Sequence, residues 1–350
     1  MKKKIMYLDV ARIAATFAVI AIHTATQGPF WNDFGKYTGF TAPESHILIF
    51  FASISRWAVP VFCMISGALF LDPDRKVDTK KLYTKNILRM VISFVVWSAL
   101  YLLLQPDIRE QLTLAGEIKR FVRGNYHMWF IYLIVGFYIA VPLIRKFTED
   151  KKTALYFVGV SVVFTFIIPN LLLHPKLDWA SAATYKMFMY LPVGYTFYFI
   201  IGYLINKFGM KKWLKAIIYV LGPISFLATA YIAVAQSQKT GVFFDQIGDY
   251  DSITVLFESL FVITLIKDIT EKIKFKSKAE KFIGTLSKDT FGLYLLHAIV
   301  MRFFDTFCGI NSMTFNPLIS VPIVVIITFI TGTIISHILN KIPIVNKYLV

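Results

Sequence analysis

Apolar residues gather into ten stretches along the chain, at about residues 7–26, 44–71, 86–105, 127–144, 154–173, 190–206, 213–235, 251–267, 290–309 and 316–340, with short polar punctuation between them. A run of ~20 apolar residues is what a helix needs to cross the hydrocarbon layer of a bilayer, and the shorter runs can borrow from their flanks or tilt. The pattern therefore predicts an all-α integral membrane protein with about ten transmembrane helices in one bundle. It shows neither a fixed-period repeat nor a composition break, so residues 1–350 are read as a single polytopic domain. Three lysines ahead of the first stretch resemble the start of a signal peptide. Asp9 and Arg12 interrupt the apolar run that follows, and no small-x-small cleavage pattern closes it, so the stretch is expected to stay as the first span.

Composition sharpens this picture. Apolar residues make up 57% and charged residues 17% of the chain, with a mean hydropathy of +0.62. Soluble domains carry about a quarter charged residues, so soluble, disordered and coiled-coil classes are excluded. The net charge of +16 would point to a polyanion in a soluble protein. Here Lys and Arg concentrate in alternate inter-span segments, about three times as many on one side as on the other, which places both termini in the cytoplasm and removes the case for nucleic acid. The segment 106–126, with Arg109, Lys119, Arg120 and Arg123, fits that rule least and is expected to form an amphipathic helix on the membrane surface. Cys63 and Cys308 fall in or near apolar segments and indicate neither a disulfide framework nor a metal site.

Ionisable groups inside spans cost a few kcal/mol each and are functional candidates by default. Arg12, Arg56, Arg89 and Arg302 lie within the apolar stretches, as does His23. Arg12 and His23 are eleven residues apart, and eleven helical steps return to within about 20° of the same direction while rising about 16 Å. Asp9, Thr16 and Thr26 fall close to the same line. Such a polar stripe must face protein or a water-filled cavity. Arginine suits fork-shaped recognition of an anionic donor, and histidine suits removal of a proton from a hydroxyl near neutral pH. A donor held at one end and an acceptor at the other would meet in one cavity.

Four segments in order resemble the membrane acyltransferase-3 family. They are the Arg12-x10-His23 spacing, the stretch Ser55-Arg56-Trp57-Ala58-Val59-Pro60-Val61-Phe62-Cys63-Met64-Ile65-Ser66-Gly67, the block from His127-Met128-Trp129-Phe130 through Phe137-Tyr138 to Pro142-Leu143, and Phe291-Gly292-Leu293-Tyr294-Leu295-Leu296-His297. The branch most similar is the O-acetyltransferases acting on enterobacterial common antigen. The resemblance implies transfer of an acyl group, usually acetyl from cytoplasmic acetyl-CoA, to a hydroxyl of a glycan outside the membrane. It implies that Arg12 and His23 are the essential pair, with His23 as base or as acyl relay. Many relatives carry two glutamates where this chain has Ile134 and Val135. Asp9 lies too far along the helix to serve His23, which leaves Glu258 as the candidate acidic partner.

The other candidates are weaker. Arg56 and Arg89, the latter near Lys80, Lys81 and Lys85, are candidate donor-binding residues. Ser66 and Gly67 fit close helix packing better than nucleophilic chemistry. His127 and Trp129 are cavity candidates through the motif, although an aromatic belt explains them equally. Tyr294 and His297 share a face at i,i+3. Trp31, Trp179 and Tyr250 could stack on sugar rings, and His46, His174 and His337 receive no role. Phosphate-loop, zinc-protease and nucleophile-elbow motifs are absent. The expectation is an O-acyltransferase of the bacterial inner membrane that uses acetyl-CoA as substrate and holds no permanent cofactor. It would act on a glycan or lipid-linked sugar, alone, as a homo-oligomer or with glycan-assembly proteins. A transporter or flippase of a lipid-linked saccharide or anion is the alternative, which discontinuous helices and paired repeats would favour. An inactive relative retained as a subunit of an assembly complex is the third reading.

Overall fold

The structure, a computed structural model, describes residues 5–26, 43–104, 113–172, 194–240 and 246–350. Among these the secondary structure is helical, with no strand. Seven helical segments have the length and apolar character to cross a membrane: α1 (Met6–Thr26), a broken helix over Pro43–Phe70, α4 (Thr79–Leu103), α6 (Trp129–Thr148), α9 (Lys212–Thr240), α11 (Ser277–Cys308) and α12 (Pro317–Leu339). The broken helix comprises α2 (Pro43–Ser53) and α3 (Ala58–Phe70). The remaining three expected spans are also helical where described: α7 over residues 151–172, α8 (Thr196–Phe208) and α10 (Ile253–Lys272). The thirteen residues of α8 are too few to span by themselves. α10 mixes Glu258, Lys267 and Asp268 into its apolar residues, which lowers its standing as a span.

α1 occupies the middle of the bundle, packing against α2, α3, α10, α11 and α12. Its alanines explain the position: Ala11, Ala15, Ala18, Ala21 and Ala25 are all buried, and their small side chains let neighbours approach. A central α1 puts the Arg12–His23 line inside protein, as its polarity demands. The closest helix pairing is α3 with α8. Here Gly67 lies against the Phe199 carbonyl and Gly202 against the main chain of Met64, so each helix presses its backbone into the other's glycine.

Two departures from regular α-helix bear on function. The expected second span breaks at residues 54–57, where Trp57 donates from its indole to the Ile54 carbonyl at 3.0 Å, and Arg56 sits in the break. α4 widens into π-helix over Leu82–Ile87, a feature often found at functional sites. The end of α3 is tied down by Arg145 of α6, whose guanidinium donates to the carbonyls of Phe70, Asp72, Pro73 and Arg75 at 2.8, 2.9, 3.3 and 2.9 Å. In the segment expected at the membrane surface, α5 (Leu114–Arg123) presents Leu114, Ile118 and Val122 together on an exposed face and caps its start with Thr113.

Candidate functional site

At the far end of α1, His23 stands in a cluster of rings assembled from two helices and one connecting turn. His297 of α11 stacks on it with centroids 5.3 Å apart, Tyr126 meets it edge-on at 4.9 Å, and His127 lies at 6.4 Å. His127 and His297 are themselves 4.6 Å apart, and both are buried. The Tyr294 hydroxyl donates to the His127 carbonyl, which holds the turn entering α6 against α11. Nδ1 of His297 lies 2.5 Å from the Tyr294 carbonyl. A carbonyl only accepts, so Nδ1 carries a proton and Nε2 is the ring nitrogen left for other partners. Nε2 of His297 and both ring nitrogens of His127 have no hydrogen-bond partner among the described residues. These imidazole nitrogens give the cluster hydrogen-bonding capacity that a polar ligand can meet.

His23 opens onto a cavity of about 160 Å³ that Arg56, Trp129, Tyr195, Asp249 and Tyr250 also line. The absence of a side chain at Gly248 makes room for the Arg56 side chain: a Cβ there would come within 2.9 Å of it.

At the near end, Nη1 of Arg12 donates to Ser287 Oγ at 3.0 Å, and Ser287 Oγ donates to Asp9 Oδ1 at 2.7 Å. Asp9 also pairs directly with Arg12 at 3.6 Å. These contacts fix the guanidinium and offset part of the cost of its burial. Arg12 faces a cavity of about 600 Å³ whose other cations are Lys85, Arg89, Lys288 and Lys347, with no carboxylate among its lining residues. Lys85 and Asn86 reach it from the π-helical turn of α4.

A third cavity of about 150 Å³ lies between these two. It shares Arg12, Met90, Tyr138, Thr290 and Phe291 with the large cavity, and Phe62, Phe130 and Tyr294 with the His23 cavity. Ser66 lines this middle space while donating to the Phe62 carbonyl at 3.0 Å, a helix-internal bond that leaves it a lining residue. Of the stripe read from α1, Arg12 lines the large and middle cavities and His23 the third, and the middle cavity adjoins the other two through shared lining residues.

The remaining expected residues fall as follows. Glu258 is not beside His23. It is fully buried between α10 and α9, where Oε1 accepts from Thr229 Oγ1 at 2.5 Å, so its polar partner is the facing helix and the rings around His23 are imidazoles and phenols. Arg89 lines the large cavity but commits its guanidinium to the Val350 main-chain oxygen and to the face of Phe291, 5.3 Å away. Trp129 is partly exposed and lines the His23 cavity, so the belt and cavity readings both hold for it. Tyr250 joins the cavity wall. His46 faces Gln238, and His337 bonds Asp289 at 2.9 Å at the far side of α11. Trp31, Trp179 and His174 lie outside the described residues. Tyr126, Tyr195, Asp249, Ser287, Lys288 and Lys347 escaped the sequence reading. Ser287 lies 275 positions from its partner Arg12, a separation no local spacing betrays.

The fold and the adjoining cavities define a multi-pass helical membrane protein with a polar site at either end of one buried helix. A family model described as an acyltransferase domain, acyltransferase-3, matches residues 5–337. The chain belongs to the acyltransferase-3 family, and the activity this supports is acyl transfer. No curated protein and no solved structure matches it.

Proposed function

We propose that this protein is an O-acetyltransferase of the bacterial inner membrane, moving acetyl from cytoplasmic acetyl-CoA to a hydroxyl of an extracytoplasmic or lipid-linked glycan. The observation that carries the reading is the run of three adjoining cavities from Arg12 to His23. With both termini cytoplasmic, the large cationic cavity opens to the side where CoA is found. Its lysines and arginines suit the phosphates of a nucleotide, while the thioester arm extends through the narrow middle space. The acceptor hydroxyl enters the His23 cavity, where Trp129, Tyr195 and Tyr250 offer flat faces to sugar rings. The likeness to the branch acting on enterobacterial common antigen makes an envelope polysaccharide or its lipid-linked precursor the acceptor class.

In the direct form of the reaction, His23 takes the hydroxyl proton as the oxygen attacks the thioester carbonyl carbon. The carbon–sulfur bond then breaks, and CoA leaves with the proton returned to its sulfur. Holding the reactants in one closed passage supplies proximity and keeps water from competing as acceptor. In the relay form, His23 carries the acetyl group between the two half-reactions. His127 and His297, with unpartnered ring nitrogens, supply the polar surroundings of His23 in place of a carboxylate.

The break at residues 54–57 is a feature that a transporter would also use, and the test separates the two readings. The O-acetyl content of envelope glycan is measured in a deletion strain complemented with wild type or with His23→Ala at matched membrane abundance. Acetyl groups returning with wild type only is the expected result. Equal restoration by both proteins overturns the role of His23. Altered glycan export with unchanged acylation overturns the enzyme reading in favour of transport.

A further inference from the structure

The large cavity has a wall contributed by residues beyond the matched family region 5–337: the short helix α13 (Pro343–Tyr348) and the two residues after it. Pro343, Asn346 and Lys347 line the cavity beside Arg12, Lys85 and Lys288. This segment is not loosely apposed. Arg89, Ser93 and Trp97 follow one another at four-residue intervals on α4 and so share a face. Arg89 donates to the Val350 main-chain oxygen, Ser93 Oγ to the Tyr348 carbonyl at 2.7 Å, and the Trp97 indole to the Leu349 carbonyl at 3.1 Å. Val350 is fully buried. It nests over Gly292, where a Cβ would stand 3.1 Å from that of Val350 and 2.2 Å from Ser336 Oγ. Three side-chain donors on one helix face and a glycine seat on α11 hold this segment in place. They place Lys347 at the mouth of a cavity that already has Lys85 and Lys288 on its rim.

We propose that residues 343–350 form a donor-contacting wall of this cavity, with Lys347 a contact for a donor phosphate and Arg89, Ser93 and Trp97 the positioning residues that hold the wall. The inference rests on the reading of the cavity as the donor site. It also moves Arg89 from donor contact to positioning residue, since its guanidinium already serves the segment. Lys347, though exposed, is kept near its place by its own ring neighbour Tyr348, 4.7 Å away. The ligand class is a phosphate-rich nucleotide thioester, bound at the cytoplasmic mouth by a cluster of cations without a carboxylate.

The test uses the full chain in nanodiscs, titrated with CoA, 3′-dephospho-CoA and inorganic pyrophosphate. Lys347 is exposed, so Lys347→Ala is expected to keep the fold and to weaken CoA binding about five-fold, the size of one exposed ionic contact. It should also flatten the salt dependence, with Lys347→Arg restoring both. Ser93→Ala is expected to raise the KM for the acyl donor while leaving kcat unchanged, a split that a general loss of folded protein does not produce. CoA affinity and donor KM unchanged in both Lys347→Ala and Ser93→Ala overturn the proposal. Should wild type bind pyrophosphate through Lys347 but not CoA, the wall stands and the choice of donor falls. Binding of none of the three probes by wild type overturns both.

Discussion

Replacing Gly67 by alanine tests the packing that shapes the middle cavity. An ideal Cβ at Gly67 lies 1.6 Å from the Phe199 carbonyl oxygen, against about 3.0 Å as the floor for real Cβ contacts. The obstacle is main chain, so no rotamer relieves it, and α3 and α8 must part by more than an ångström. Overpacking of this kind costs about 1–3 kcal/mol when side chains can yield. With backbone on the receiving side, about 3 kcal/mol is expected. Gly202 makes the reciprocal approach, its Cβ falling 2.2 Å from the Met64 carbonyl oxygen. Once the helices have parted for one alanine the other has room, so Gly67→Ala and Gly202→Ala together should destabilise by clearly less than their sum. The structure also supplies controls of opposite sign. A Cβ at Gly136 or Gly159 meets nothing within 4 Å, and alanine is the better helix former by about 0.5–1 kcal/mol. The assay is thermal unfolding of purified protein in one detergent, with activity measured alongside. Gly67→Ala should melt several degrees below wild type and lose activity through displacement of Phe62 and Ser66. Gly159→Ala should melt at or slightly above wild type. A Gly67→Ala protein that melts with wild type, or moves in the same direction as Gly159→Ala, would refute the reasoning.

Other expectations follow from features at the ends of the helices. Arg145→Ala strips charge-assisted donors from four carbonyls that close α3, and should destabilise by about 2 kcal/mol or more, with Arg145→Lys recovering only part because an ammonium lacks the planar fork; thermal unfolding of both variants reads this. Hydrogen bonds from the Lys81 and Thr153 regions hold the helix-capping carboxyls of Asp78 and Asp150 below the usual carboxylate range. Each depressed value means stability that is present above the unfolded-state pKa and lost as pH falls through the folded-state one. The acid limb of a melting-temperature profile should therefore flatten in Asp78→Asn and Asp150→Asn, which keep the cap but cannot titrate.

How much of this was legible in the sequence depends on range. The helix class and the shared face of Arg12 and His23 follow from local periodicity, and the structure places both along one run of adjoining cavities. The break at Arg56 was hidden because Ser55-Arg56-Trp57 is too short an interruption to divide a run of apolar residues. Tyr294 and His297 were paired by their spacing, whereas the stacking of His297 on His23 joins helices at opposite ends of the chain, and a single sequence carries no signal for it. Glu258 shows the limit from the other side. An acid in a span invites a catalytic role, but which neighbour it meets depends on how α10 is rotated, and it meets Thr229.

The middle cavity has one more consequence, for the energetics of the cell. A channel of polar groups from one face of the bilayer to the other would short-circuit the proton gradient. Here the middle cavity is lined by Phe62, Ile65, Leu69, Phe130, Ile131 and Ile134, which separate its polar groups Arg12, Ser66, Tyr138, Thr290 and Tyr294 from one another. Apolar stretches of lining hold water less readily than polar ones, and a dry stretch interrupts the file of water along which protons hop. Ile134 puts a branched apolar side chain into that lining, where an ionisable group would hold water and carry a proton.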